Sequence, residues 1–307
     1  MTEKVTSVKY LREVLAAENC APRKSLGQNF LTDENILRKI VDAGNPGAED
    51  TVLEIGPGLG ALTGVLLERA GRVIAVEYDR GLYQILRRRF AASPRLTLIN
   101  QDFMKLPLEE LFAAPPQGPA PCHCQVIANL PYYITTPIIF KLLESGIPWS
   151  LMVFLVQKEV AQRITARPGS KEYGALTVML DFFGRAEVVA PVPKTVFYPA
   201  PQVDSAIIRL IPEPRQYDPA LYPFVQRVVQ AAFGQRRKTL SNTLREFEAV
   251  FGGRDELAGF LRAAGIDPGL RGETLGIDSY LAIAREIRER SGNPHCGFPG
   301  APPDHQI

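Results

Sequence analysis

The chain has little of what staples, anchors or strongly charges a protein. Four cysteines are spread over 307 residues, and the wide gap between Cys20 and Cys122 offers no disulfide framework. No stretch reaches the ~18 uninterrupted apolar residues of a membrane helix. The segment from Met1 to Asn19 alternates charges with short apolar pairs and lacks the apolar core of a signal peptide. A reducing, cytoplasmic setting with no membrane contact is expected. An excess of one charge is missing as well: 35 Lys+Arg stand against 33 Asp+Glu, a net of +2. That total argues against a nucleic-acid binder working by bulk electrostatics, but a small sum can conceal a basic face.

What is present is an ordinary globular composition, 46% hydrophobic and 22% charged, at a length of about two average domains. From Asp50 to Leu210 short β-branched runs alternate with amphipathic stretches. Strands are predicted at Thr51–Ile55, Arg72–Glu77, Leu96–Ile99, Gln125–Ala128 and Leu151–Val156, with helices such as Ala61–Arg69 and Gly81–Phe90 between them. This alternation predicts an α/β fold, a mostly parallel sheet with helices on both faces. Two later runs, Ala186–Val189 and Ser205–Ile211, are joined only by a Pro-rich link, too short for a crossover helix, and are expected to pair antiparallel. Beyond Pro212 only helical periodicity remains, over Phe224–Phe233, Leu240–Phe251, Arg254–Ala264 and Asp278–Arg290. The expected division is a catalytic domain over 1–212 with an N-terminal helical extension, a helical domain over 213–290, and a tail over 291–307. Ala113–Pro121 and the tail are read as unstructured from their Pro and Gly content.

Candidate chemistry gathers at the ends of the predicted strands. The first runs into Glu54-Ile-Gly56-Pro-Gly58-Leu-Gly60 and then a helix, so backbone N–H groups can approach a ligand closely. Glu77 ends the second strand, ~20 residues beyond the first glycine, where a carboxylate can accept both hydroxyls of a ribose. Asp102 follows the third strand, placed to accept from an adenine amine; both acids also suit helix caps. The fourth strand ends in Asn129-Leu130-Pro131-Tyr132. A base's exocyclic amine is a poor nucleophile because its lone pair is delocalised into the ring. An amide oxygen and a nearby backbone carbonyl can accept its hydrogens and favour a localised lone pair. Pro131 stiffens the loop and Tyr132 offers a face for an extruded base. Cys122-His123-Cys124 has no second ligand pair and makes a poor metal template, so no metal is expected.

Six stretches together carry a specific resemblance: Lys24-Ser-Leu-Gly-Gln-Asn-Phe-Leu31, Val52-Leu-Glu-Ile-Gly-Pro-Gly-Leu-Gly60, Ala75-Val-Glu-Tyr-Asp79, Asn129-Leu-Pro-Tyr-Tyr133, Phe197-Tyr-Pro-Ala-Pro-Gln-Val-Asp-Ser205 and Phe233-Gly-Gln-Arg-Arg-Lys-Thr-Leu240. Over Pro22 to Ile287 the sequence resembles the ribosomal RNA small-subunit adenine-N6 dimethyltransferase family of the KsgA/RsmA type. The resemblance implies a Rossmann-like, seven-stranded methyltransferase fold with a small all-helical C-terminal domain, and S-adenosyl-L-methionine as methyl donor. It implies that Asn29, Leu31, Gly56, Glu77, Asp102 and Asn129 bind that cofactor. It makes Asn129, Leu130, Pro131, Tyr132 and Phe197 the catalytic set, with Tyr132 and Phe197 holding the target base. The implied reaction dimethylates N6 of two adjacent adenosines near the 3′ end of 16S rRNA, in an immature small ribosomal subunit, by a monomer with a part in ribosome biogenesis. The Pro-rich 113–121 segment departs from the family as a surface insertion.

The basic residues are unevenly placed. No acid lies between Arg236 and Arg245, and Arg236, Arg237, Lys238 and Arg245 stand among the neutral donors Gln235, Thr239, Ser241 and Asn242, which favours phosphate contact. Arg87-Arg88-Arg89 is read instead as a solvated helix face, and Lys158, Arg163, Arg167 and Lys171 flank the loop after the fifth strand. Competing readings are a resistance-type enzyme acting on large-subunit rRNA, a DNA adenine methyltransferase, and a non-catalytic ribosome-assembly factor.

Overall fold

The computed structural model describes residues 6–18, 27–112, 123–213, 217–235 and 237–291. The unstructured reading of 113–121 and all but the first residue of the tail fall outside them, as do Cys20, Cys122, Arg236 and Cys296. The strands are β1 (Phe30–Leu31), β2 (Asp50–Ile55), β3 (Arg72–Glu77), β4 (Leu96–Asn100), β5 (His123–Asn129), β6 (Trp149–Gln157), β7 (Gly184–Val192), β8 (Phe197–Tyr198) and β9 (Ser205–Pro212). The helices are α1 (Val8–Ala17), α2 (Glu34–Gly44), α3 (Ala61–Arg69), α4 (Arg80–Arg89), α5 (Leu108–Leu111), α6 (Thr135–Glu144) and α7 (Lys158–Ile164). They continue as α8 (Ala175–Asp181), α9 (Tyr222–Gly234), α10 (Leu240–Thr243), α11 (Glu248–Phe251), α12 (Arg254–Ala263) and α13 (Ile277–Arg290).

The main sheet has seven strands in the order β4-β3-β2-β5-β6-β9-β7. β4, β3, β2, β5 and β6 run parallel, and β9 lies antiparallel to β6 with Ser205 opposite Gln157. The two late runs are therefore neighbours, as their short link requires, and β9 rather than β7 docks on the parallel strands. The central strands are buried on both faces, Val52, Leu53, Val73, Ile74, Val126, Ile127, Val153 and Phe154 being wholly inaccessible. A short pair that periodicity cannot see, β1 with β8, sets Phe30 opposite Tyr198 and Leu31 opposite Phe197.

Because the parallel strands share one direction, their C-terminal ends form one edge, and the chain turns there into helices with local caps. Asp33 accepts from the N–H groups of Asn35 and Ile36 to start α2, and Asp79 from Gly81 and Leu82 to start α4. Asn45, in the left-handed region at φ 46°, ends α2.

The chain divides into two compact units, one taking residues up to Ala161 with Glu187–Pro212, the other Gln162–Ala186 with Glu213 onward. Residues 162–186 thus cluster with the helical unit instead of lying within the expected 1–212 span. In that unit α9 buries Val225, Val228, Val229 and Ala232, and α13 buries Tyr280, Leu281, Ile283, Ala284 and Ile287. Tyr173, from the 162–186 segment, donates its hydroxyl to the Leu275 carbonyl at 2.7 Å. The helix expected over Leu240–Phe251 is broken: α10 stops at Thr243, a 3-10 turn over Arg245–Phe247 follows, and α11 restarts at Glu248. Leu240, Leu244, Phe247 and Phe251 are all buried, as their i, i+4, i+7, i+11 spacing predicts, although the helix carrying them is interrupted.

Candidate active site

The carboxyl edge of the sheet opens into a cavity of about 400 Å³. The expected residues Asn29, Leu31, Gly56, Glu77, Asp102, Asn129, Leu130, Pro131 and Tyr132 all line it. Phe197 does not: it is 4% exposed, sits opposite Leu31 in the β1–β8 pair and belongs to the hydrophobic core. Arg237, Lys238 and Arg245 are exposed on the helical unit, where Arg245 donates to the Asn242 amide oxygen at 3.2 Å. Arg236 lies outside the described residues.

The turn from β2 to α3 forms one wall. Gly56, Gly58 and Gly60 all have positive φ (68°, 60° and 79°), which an L-residue adopts only with strain. A Cβ on Gly60 would also sit 2.6 Å from the Phe90 ring and 2.8 Å from Leu86. Outside the turn, Thr63 of α3 donates its hydroxyl to Glu54 of β2 at 2.6 Å. Burial pushes the Glu54 carboxyl up to about 8, the Thr63 bond working against that rise. Glu54 also lines the cavity, and an acid inside an otherwise apolar strand was the sequence signal for it.

Arg89 departs from the solvated-face expectation. Arg87 and Arg88 are exposed, but Arg89 is half-buried, donates to the Leu59 carbonyl at 2.5 Å and lies 4.8 Å over the Phe90 ring. Its charge also faces the buried Glu54, and burial lowers its pKa. A guanidinium is thereby anchored to the glycine turn.

Glu77, 5% exposed, accepts from the Gly58 N–H at 3.1 Å through one oxygen and from the Asp79 N–H at 2.8 Å through the other. Burial pushes its pKa up to about 7 against those two bonds. A carboxylate has roughly four acceptor sites, so capacity remains toward the cavity. Asp102 accepts from the Met104 N–H at 2.9 Å, capping the 3-10 turn Phe103–Lys105 while lining the cavity. The capping reading of that acid holds.

Asn129 closes β5. Its amide nitrogen donates to the Asn29 carbonyl at 3.3 Å, leaving Oδ1 as the acceptor. Asn29 in turn donates to the Gly27 carbonyl at 3.0 Å, so the segment carrying β1 and the end of β5 brace one another. The Tyr132 hydroxyl and the Ser205 hydroxyl are 2.7 Å apart, and burial raises the phenol's pKa, keeping it neutral. His123 is exposed and Cys124 buried at the start of β5, and among the described residues no group of three or more ligands is placed to hold a metal.

A parallel sheet closed by a reversed strand, with a glycine turn and successive strand-end acids at one edge, defines the Rossmann-like methyltransferase class. Comparison narrows it. Residues 20–289 match the family described as ribosomal RNA adenine dimethylase, and the chain belongs to that family. It is 45% identical over 267 residues to the ribosomal RNA small subunit methyltransferase A of Bacillus mycoides, covering 86% of this chain and 91% of that one. The Bacillus anthracis protein of the same name is equally similar. Among solved structures it resembles a dimethyladenosine transferase from Plasmodium falciparum (TM-score 0.71, 25% identity, 85% of this chain and 98% of that one). It also resembles the 23S rRNA methyltransferase ErmE (TM-score 0.64, 27% identity, 84% and 99%).

Gly60→Ala is expected to cost about 2–3 kcal/mol, from left-handed strain plus the clash with Phe90 and Leu86. Chemical denaturation compared with Gly276→Ala, whose Cβ would meet nothing within 4 Å, checks it.

Proposed function

We propose that this chain transfers methyl groups from S-adenosyl-L-methionine to N6 of two adjacent adenosines near the 3′ end of 16S rRNA. In this reading it acts as a monomer in the cytoplasm on an immature small subunit and contributes to ribosome biogenesis. The observation that carries the reading is that Asn129-Leu130-Pro131-Tyr132 shares one cavity with Gly56, Glu77 and Asp102. An amine-activating loop and an adenosine-binding edge thus face the same space. The name borne by the 45%-identical Bacillus relatives favours the small subunit over the large-subunit reading suggested by ErmE.

The residues present fit such a cofactor. Gly56 has no side chain, and a Cβ there would point toward Pro131 at 3.8 Å, so the cradle between turn and loop is open. Glu77 offers spare acceptor capacity to paired hydroxyls and Asp102 an acceptor to an amine, with Asn29 and Leu31 on the covering segment. When bound, the group supplies an electrophilic methyl on a positively charged sulfur.

The chain's part is to prepare the nucleophile. The bond from the Asn129 nitrogen to Asn29 orients the amide, and its Oδ1 is left to accept a hydrogen of the adenine amine. Accepting that hydrogen favours a tetrahedral nitrogen with a localised lone pair. Pro131 has no N–H to compete for the amine and stiffens the approach. The Tyr132 ring, fixed by its hydroxyl on Ser205, provides a stacking face. Phe197 supports this arrangement from behind, through the β1–β8 pair that carries Leu31. On the helical unit, Arg236, Arg237, Lys238 and Arg245 contact RNA phosphates.

Four outcomes test this. Incubation with labelled methyl donor and either immature 30S particles or 50S components is expected to give N6,N6-dimethyladenosine only in 16S rRNA, and label confined to large-subunit RNA overturns the assignment. Asn129→Ala in the same assay is expected to slow transfer by roughly 100-fold or more while leaving cofactor binding measurable by calorimetry.

Cofactor affinity is expected to tighten about tenfold from pH 6 to pH 8, with proton release. Hydroxyl donors favour the ionised Glu77, whose free pKa is about 7, so protonation below that value opposes binding. Calorimetry across pH checks it, and Glu77→Gln is expected to remove this dependence along with much of the affinity.

Changing Arg236, Arg237 and Lys238 to Ala is expected to weaken particle binding and flatten log Kd against log salt by about 2–3. An unchanged slope moves the RNA surface elsewhere.

A further inference from the structure

The N-terminal helix α1 lies ahead of the residues 20–289 matched by the family, yet it reaches the cavity. Leu11, 1% exposed, is one of the lining residues. Leu11 and Leu15 form a compact apolar cluster with Phe30, Leu59, Leu82 and Ile85. These partners are informative. Leu59 belongs to the glycine turn, Phe30 contacts that turn through the space a Cβ on Gly58 would fill (3.1 Å), and Leu82 and Ile85 lie on α4.

Polar contacts along α1 fix its seat. The Arg12 side chain donates to the Tyr198 hydroxyl at 3.2 Å and lies 5.2 Å over that ring, tying the helix to β8. Past the last turn, Glu18 pairs with Arg88 of α4 at 2.5 Å. The next residue of α4, Arg89, holds the Leu59 carbonyl of the glycine turn. The helix presses on the outside of the glycine turn and sends one leucine through to the inside.

We infer that α1 is a working part of the cofactor site and that Leu11 is one of its binding residues, contributing apolar wall where the turn, the Asn29 segment and α4 converge. The inference rests on the reading of this cavity as the S-adenosylmethionine site. Leu11 is already buried without a ligand, so its part is to fill the wall behind the ligand, and its truncation leaves a void in that wall. Leu15 is the natural control, since it is buried in the same cluster but does not line the cavity.

The test is calorimetric titration of the full-length protein and its variants with S-adenosylhomocysteine, at a temperature where circular dichroism shows each to be folded. Leu11→Ala is expected to raise Kd about tenfold, whereas Leu15→Ala stays within about threefold of wild type. Leu11→Phe, which keeps the cluster apolar and pushes bulk into the cavity, is expected to weaken binding too, and it serves where the alanine variant does not fold. Unchanged affinity in the folded Leu11 variants overturns the inference. So do equal losses in Leu11→Ala and Leu15→Ala, because helix packing alone would then explain both. A wild-type protein that binds no S-adenosylhomocysteine instead overturns the reading of the cavity itself.

Discussion

The structure of the site depends on one backbone reversal, the turn from Gly56 to Gly60. Three left-handed glycines in five residues make a conformation that the chain does not hold by itself, so its surroundings must impose it. Glu77 takes the Gly58 N–H, Arg89 takes the Leu59 carbonyl, and Phe30, Leu86 and Phe90 fill the spaces where side chains would stand. Glu54 and Thr63 join the strand before the turn to the helix after it. The contacts come from β1, β2, β3, α3 and α4, and together they leave the turn one conformation. The price of that rigidity is visible in the acids it buries.

Two carboxyl groups, Glu54 and Glu77, sit almost without solvent beside the turn, and the charge of Glu77 adds to the rise at Glu54. Burial drives both upward, to about 8 and about 7. Hydrogen bonds and the facing guanidinium of Arg89 oppose the rise at Glu54 without cancelling it. At neutral pH Glu77 therefore stands near its midpoint, and whatever donates hydrogen bonds to it selects the ionised form. A ligand with paired hydroxyls supplies what the buried carboxylate lacks, so the same desolvation that destabilises the empty charge favours such a ligand. The raised pKa and the cavity are two expressions of one arrangement.

Most of this edge was legible from residue order. β-branched runs with helical spacers specify a parallel sheet, and such a sheet gathers its strand ends, so Gly56, Glu77, Asp102 and Asn129 were bound to meet. What escaped depends on contacts between parts distant in the chain. Arg89 read as a solvated residue because its neighbours Arg87 and Arg88 are; only packing against Leu59 and Phe90 distinguishes it. Phe197 carries the right residue type, but its place opposite Leu31 in a two-residue strand turns it into the core, and no periodicity reveals a strand that short. Residues 162–186 look like a continuation of the α/β pattern because α8 is apolar, yet Tyr173 and Leu176–Leu180 are buried within the helical unit. Leu11 stood before every recognisable motif, in a helix whose own face gives no hint of a cavity.

The near-zero net charge follows from the same division of labour. Glu54 and Glu77 are buried at the turn, Asp33, Asp79 and Asp102 are spent on backbone N–H groups, and Glu246 and Asp218 pair with Arg227 and Arg288. An acid that is buried or occupied contributes little field at the surface, whereas an exposed base contributes most of its own. Arg237, Lys238 and Arg245 are exposed, and none makes an ion pair with a described residue. Arg245 and Arg254 both donate to one neutral amide oxygen, that of Asn242, at 3.2 and 3.3 Å. An amide oxygen orients two guanidiniums without neutralising either. A sum of +2 thus coexists with exposed bases at Arg237, Lys238 and Arg245, since the sum counts charges that the fold has already put to other use.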